Sequence, residues 1–103
     1  MVTASNMKNT IRYIRNENFV ERKLGDETVL VPISQLGVDV QSIYTLNDTA
    51  AAVWKKLKTV HGEEDLIAAI EAEYYADSGV IRQDVQNLLE EFIEGAFINV
   101  VGE

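Results

Sequence analysis

Few residues in this chain could carry out acid–base or nucleophilic chemistry. The 103 residues include no cysteine, which excludes disulfides, thiolate metal sites and cysteine nucleophiles. His61 is the only histidine and precedes Gly62 in a pair that breaks helices. A general base needs a partner and a substrate pocket, and no residue near His61 in the sequence supplies either. We therefore expect His61 to be a solvated residue at a helix end.

The remaining candidates for a catalytic or metal site are equally weak. Glu63, Glu64 and Asp65 are consecutive, so on a helix their carboxylates point in different directions, whereas Ca²⁺ takes six to eight converging oxygens. The serines lack a base at a recognisable spacing, and the glycines are scattered as turn residues rather than grouped in a phosphate-binding loop. The sequence predicts a protein that is not an enzyme and has no metal site and no cofactor.

The acidic residues are concentrated in one half of the chain. The formal net charge is −8, and residues 61–103 hold eleven acidic residues against one base, Arg82. This half would repel a phosphate backbone. The acidity is typical of a solvated helical surface, and a cationic partner is the alternative interpretation.

No stretch of the sequence predicts a signal peptide or a membrane span. The basic residues near the N-terminus are not followed by an apolar block, as a secretory signal would require. The longest wholly apolar runs, Ala50–Trp54 and Leu66–Ile70, have five residues each, far fewer than the roughly 20 residues that cross a bilayer. We expect a soluble, cytoplasmic protein.

Three strands are predicted before any helix. Phe19–Leu24 alternates only roughly between apolar and charged residues, with Val20 and Leu24 against Glu21 and Lys23, and Glu27–Val31 is rich in β-formers. The turn residues Gly25-Asp26 join these two stretches into a hairpin. A third strand, Val40–Leu46, would complete a small antiparallel sheet.

Three helices are predicted after the sheet. Asn47 can cap a helix that runs from Asp48 to Val60. The second helix begins with the three acidic residues at 63–65 and ends near Tyr75, and Asp77 or Ser78 caps the third. Gly95 stands where a left-handed residue commonly ends a helix, and residues 96–101 are predicted to pack back as a short strand or extended tail. Apolar residues at helical spacing mark the buried positions: Ala50, Val53, Trp54, Leu57, Leu66, Ile67, Ile70, Tyr74, Ile81, Val85, Leu88, Leu89 and Phe92.

This element order predicts an α+β fold. It consists of a three-stranded antiparallel sheet followed by three helices in a winged helix-turn-helix arrangement, with the strands as the wing. Residues 1–15 are polar and are predicted to form a flexible N-terminal arm, so the folded domain would span residues 16–103.

The winged helix raises the possibility of DNA binding, with the third helix as the recognition helix. That helix carries Arg82 against four acidic residues, so it would be repelled by phosphates. A three-stranded sheet also has an edge to which a guest peptide can add as a further strand, and Val40–Leu46 contains no proline. Alternatively, the protein's own N-terminal arm would cover that edge. A second copy of the chain could also cover it, in which case the protein would be a self-associating structural domain.

Several segments together resemble a known family. Residues 46–54, Leu-Asn-Asp-Thr-Ala-Ala-Ala-Val-Trp, resemble the LNxTAAxxW signature of the PqqD family. Arg15–Val20 resembles its opening RNPDVV, and Gly25–Leu30 its hairpin DGETVLL. Residues 63–75 and 84–98 resemble its EELxxxLxxEYD and DVxxFLxxLxxxGLI stretches in the same order.

The resemblance implies a non-catalytic adaptor with the fold predicted above. Such proteins bind the leader of a ribosomally synthesised precursor peptide and present it to a modifying enzyme, for example a radical-SAM maturase or a leader peptidase. The leader is implied to join the third strand and to lie against the third helix. Carried over to this sequence, the peptide-binding residues are Ser42, Ile43, Tyr44, Thr45, Leu46, Asp84, Val85, Asn87, Leu88 and Glu91. The resemblance implies neither nucleic acid nor membrane as a partner.

Overall fold

The computed structural model describes residues 11–33, 43–74 and 77–102. Five strands and three helices follow one another along these residues. They are β1 (Arg12–Arg15), β2 (Phe19–Leu24), β3 (Glu27–Pro32), β4 (Tyr44–Leu46), α1 (Asp48–Lys56), α2 (Glu63–Glu71), α3 (Ser78–Glu94) and β5 (Ile98–Val101). The predicted α+β fold, an antiparallel three-stranded sheet followed by three helices, is confirmed.

The three-stranded sheet has the order β2-β3-β4. Its register pairs Val20 with Val31 in the hairpin and Leu30 with Tyr44 between β3 and β4. β3 is the central strand and is buried from Thr28 to Pro32. β4 is an edge strand, since within the described residues it pairs with β3 alone. The first part of the predicted third strand, residues 40–42, lies outside the described residues.

A single residue, Asn47, separates β4 from α1. Its side-chain Oδ1 accepts a hydrogen bond from the backbone N–H of Ala50 at 2.8 Å, and Asp48 adds a negative charge to the first turn. Both features stabilise a helix N-terminus. α1 ends at Lys56 rather than Val60, and residues 57–59 continue as turns.

The other two helices begin where the sequence predicted. α2 starts after Gly62 without a side-chain cap, and α3 starts after Asp77, whose Oδ1 accepts from the N–H of Gly79. α2 ends at Glu71, earlier than predicted. Tyr74, predicted to be buried on this helix, therefore lies beyond its end with an exposed side chain. No helix within the described ranges is both long and apolar enough to cross a membrane.

The core lies between the helices and one face of the sheet. Trp54 of α1 and Phe92 of α3 are fully buried and meet edge-to-face, with ring centroids 5.8 Å apart. Leu30 and Leu46 reach the same cluster from β3 and β4. Apart from Tyr74, every position predicted to be buried on a helix is buried.

β1 and β5 form a second, two-stranded antiparallel sheet. The predicted N-terminal arm was to extend to residue 15, but residues 12–15 belong to the folded domain because they pair with residues 98–101. Arg15 also lies with its guanidinium carbon 4.6 Å from the centre of the Trp54 ring and donates to the Trp54 carbonyl. Residues 1–10, the rest of that arm, lie outside the described residues.

The left-handed residue at the end of α3 is not the predicted one. Gly95 has a φ of −83°, whereas Ala96 has a φ of +63°. The N–H groups of Ala96 and Phe97 donate to the carbonyls of Ile93 and Phe92, respectively, which closes the helix end. A glycine is still suited to position 95, because a Cβ there would overlap the ring of Phe97.

We expect Gly95→Ala and Ala96→Gly to have opposite effects on stability. Gly95→Ala displaces the Phe97 ring and should lower the free energy of unfolding by about 1–3 kcal/mol. Ala96→Gly removes the strain of an alanine in the left-handed conformation. It also raises the conformational entropy of the unfolded chain, which offsets part of this gain, so the free energy of unfolding should rise by up to about 1 kcal/mol. Urea unfolding followed by the fluorescence of Trp54 measures both. Equal destabilisation by the two variants would contradict this assignment of the helix end.

Candidate functional site

A groove of about 260 Å³ lies between β4, the start of α1 and one face of α3. It is lined by Tyr44, Thr45, Asn47, Thr49, Ala50, Asp84, Asn87, Leu88 and Glu91. A larger depression of about 400 Å³ lies between the β2–β3 hairpin, α1 and the residues that follow α2. The larger one contains no residue of α3 and carries both lysines and carboxylates, so the smaller groove is the one that combines β4 with α3.

β4 contributes one wall of the groove, and its residues alternate in exposure. Leu46 is buried and Tyr44 is half-buried, whereas Thr45 between them is exposed. The ring of Tyr44 packs on Phe97 at a centroid distance of 4.8 Å and on Phe92 at 6.2 Å. The strand is therefore fixed to the core through alternate side chains.

α3 contributes the opposite wall. Asp84, Leu88 and Glu91 recur at steps of four and three residues, so they share one face of the helix, and Asn87 lies beside them. Leu88 is largely buried, whereas the three polar residues are exposed. This wall thus combines an apolar patch with two carboxylates and an amide.

The structure brings six of the ten predicted site residues together at this groove. They are Tyr44, Thr45, Asp84, Asn87, Leu88 and Glu91. Val85 is fully buried and Leu46 nearly so, which makes them core residues rather than lining residues. Ile43 is exposed next to β4 but does not line the groove, and Ser42 lies outside the described residues.

Three lining residues were not predicted from the sequence. Asn47, Thr49 and Ala50 form the start of α1 and border the groove. The signal for them is the absence of a loop between the third strand and the first helix: a helix that begins one residue after an edge strand must lie beside that edge.

A hydrogen bond connects the two walls. The hydroxyl of Tyr44 donates to Oε1 of Glu91 at 2.7 Å. Burial, and then the hydrogen bond to Glu91 and its charge, raise the pKa of Tyr44 to about 12. Tyr44 is therefore a neutral donor at physiological pH. The pair is 47 residues apart in the chain, so no local sequence pattern indicates it.

The lining of the groove is acidic. Among the described residues that line it, Asp84 and Glu91 are the only charged ones, and both are negative. Among the residues that the structure describes, the ion pairs lie elsewhere: Lys56 pairs with Glu73, and Arg82 pairs with Glu64. Arg82 holds Glu64 through two hydrogen bonds of 2.7 and 2.9 Å. The carboxylates of the groove thus have no cationic partner in the described parts of the chain.

The described residues do not assemble a cluster of possible metal ligands. In residues 11–33, 43–74 and 77–102, no group of three or more His, Asp or Glu residues could hold a metal ion. His61 is half-buried rather than solvated, and its ring nitrogen lies 3.2 Å from the Tyr13 carbonyl. The backbone N–H of Tyr13 in turn donates to the carbonyl of His61. The histidine thus joins β1 to the segment between α1 and α2.

The Tyr44–Glu91 contact predicts a pH dependence of stability. Because the pKa of Tyr44 is raised from 10.0 to about 12 in the folded protein, the unfolded chain loses this proton first as the pH rises. The stabilisation is fully present below about pH 10 and disappears towards pH 12. We expect the free energy of unfolding to fall more between pH 9 and 12 for the wild type than for Tyr44→Phe. Parallel profiles for the two proteins would contradict this.

Comparison with solved structures identifies a protein of the same fold. TbiB1 in complex with the TbiA(beta) leader peptide matches with a TM-score of 0.68 and 21% sequence identity. The match covers 87% of this chain and 99% of the TbiB1 chain. No curated protein matches this sequence.

Comparison with protein families gives a match over most of the domain. The family described as "Coenzyme PQQ synthesis protein D (PqqD)" matches residues 27–98, which is more than two thirds of the chain. These residues run from β3 to the start of β5 and include both walls of the groove. The chain therefore belongs to the PqqD family.

Proposed function

We propose that this protein binds the leader of a ribosomally synthesised precursor peptide by β-strand addition to β4. The observation that carries the proposal is an edge strand that lies in a groove beside α3. An extended peptide can satisfy the main-chain groups of such an edge, while neighbouring pockets select its side chains. The solved TbiB1 complex, which holds a leader peptide on a protein of the same fold, supports this choice of ligand.

The contact residues that we propose lie on the two walls of the groove. Main-chain groups of residues 43–46 would pair with the leader, while Asp84, Asn87, Leu88 and Glu91 would contact its side chains. Ser42 stays a prediction for the end of the strand. We expect Leu46 and Val85 to act indirectly, since both are buried and hold the walls in place.

We propose that the protein is an adaptor without catalytic activity and that it works in the cytoplasm, where ribosomal peptides are made. An adaptor of this kind needs a second partner, an enzyme that modifies or cleaves the presented precursor. A radical-SAM maturase or a leader peptidase fits this role.

Neither alternative function has a specific observation in its favour. Asp84 and Glu91 face outward on α3, the helix that would enter a DNA groove, and both would repel phosphates. Self-association would use the same edge of β4, so a second copy of the chain would compete with the leader for it. Sedimentation at several concentrations distinguishes that case from a monomeric adaptor.

Backbone amide chemical shifts test the location of binding. The probe is the synthetic N-terminal half of a short peptide encoded beside the gene for this chain, and the C-terminal half of the same peptide is the control. We expect the N-terminal half alone to shift the amides of residues 43–46 and of Asp84, Asn87 and Glu91. Shifts confined to the β2–β3 hairpin, or an equal response to both halves, would contradict the proposal.

N-methylation of the peptide, one residue at a time, tests strand addition without altering the protein. In a β-ladder, only every second residue of the peptide directs its N–H towards the neighbouring strand. We expect methylation at alternate positions to weaken binding about tenfold through the lost hydrogen bond. Methylation at the intervening positions should have little effect. A pattern without this period of two would indicate recognition by side chains instead.

A further inference from the structure

We propose, on the basis of the function proposed above, that the groove selects peptides that carry a lysine or arginine two positions away from an apolar residue. Both charged residues of its lining, Asp84 and Glu91, are carboxylates, and the described residues offer neither of them a cation. A peptide that lies along β4 would bring its own side chains up to this wall. A basic side chain would gain an ion pair there, whereas an acidic one would be repelled.

The position of the apolar residue follows from Leu88. Leu88 lies between Asp84 and Glu91 on the same face of α3 and is the apolar residue on that wall. Asp84 and Leu88 are four residues apart, which corresponds to about 6 Å along a helix. Residues two apart in a strand are separated by a similar distance, roughly 6.8 Å, and point to the same side. The basic residue should therefore stand two positions from an apolar one.

Tyr44 holds the Glu91 side chain in position for an ion pair with the basic residue of the peptide. Its hydroxyl holds Oε1 of the carboxylate at 2.7 Å, while its ring is fixed against Phe97 and Phe92. The other oxygen, Oε2, keeps its capacity to accept a hydrogen bond from a cation. A side chain that is already held in place loses less conformational freedom on binding. Tyr44 is in this sense a positioning residue for the selectivity of the groove.

The other charged feature near the groove does not offset these carboxylates. The positive end of the α1 dipole lies beside the groove, because Asn47 and Thr49 are among its lining residues. That end already has the Asn47 side chain on the Ala50 N–H and the charge of Asp48 in the first turn. The preference for a cation on the α3 side therefore remains.

Selection from random dodecapeptides displayed on phage tests this proposal on the full chain. We expect the recovered peptides to be enriched in lysine or arginine two positions away from an apolar residue. The same selection on Asp84→Lys should lose the enrichment. Recovered peptides without any basic preference would overturn the inference.

Affinities of one recovered peptide provide the matched comparison. Asp84→Asn combined with Glu91→Gln should weaken binding about three- to tenfold at low salt, in keeping with two exposed ion pairs. The effect should shrink as salt is added. Glu90→Gln removes one charge from the same helix outside the groove lining and should change affinity less than twofold. Equal losses in Glu90→Gln and in the groove variant would show a general field effect and overturn the inference.

The positioning role of Tyr44 has its own readout. Tyr44→Phe keeps the ring but loses the hydroxyl, so it should reduce the advantage of a lysine peptide over its norleucine analogue. Equal weakening of both peptides would contradict the positioning role.

Amide shifts separate this inference from the function on which it rests. Peptides that shift residues 43–46 without any charge preference would overturn the selectivity and leave strand addition standing. Peptides that bind without shifting those residues, or the recovery of no peptide at all, would overturn both.

Discussion

The structure depends on the junction between β4 and α1, where an extended strand becomes a helix across one residue. Leu46 enters the core from the strand, and Ala50 and Val53 enter it from the helix that follows. With only Asn47 between them, the sheet and α1 have little freedom to change their relative angle. The cap formed by Asn47 makes this abrupt turn favourable, because it satisfies an N–H that would otherwise lack a partner.

The core beneath the groove determines the groove's shape. Phe92 belongs to α3 and contacts Trp54 of α1, Tyr44 of β4 and Phe97 just before β5. These edge-to-face contacts fix the distance between the strand and the helix that form the two walls. Because these core contacts hold both walls in place, the groove is largely formed before a ligand binds, and binding does not have to order it.

The sequence predicted the fold well because local signals agreed with one another. The strand-forming residues, the Asn47 cap and the apolar spacing of the helices all pointed to the same arrangement. It also predicted most of the residues that line the groove, because the family resemblance implies that the ligand lies between the third strand and the third helix. Leu46 and Val85 were assigned to the site from the family resemblance but are buried. For Val85, the apolar spacing of the third helix had already indicated a core position.

Other features were missed because they arise from contacts between distant parts of the chain. The pairing of β1 with β5 joins the two ends of the domain, and residues 12–15 alone are too short and too polar to indicate it. The Tyr44–Glu91 hydrogen bond likewise exists only in the folded protein. At the end of α3, glycine was the expected left-handed residue, but the close approach of Phe97 gives Gly95 a different role and leaves Ala96 with the unusual φ.

The ladder between β1 and β5 has a consequence for how this fold can be combined with others. Arg12 is paired with Val101, so the polypeptide enters and leaves the domain at neighbouring points. Neighbouring entry and exit points allow a domain to be inserted into a surface loop of another protein without stretching either one. The groove is formed by other elements, β4, α1 and α3, so such a fusion would keep it accessible. The same architecture is thus suited to serve as a separate protein or as a module inserted into a larger one.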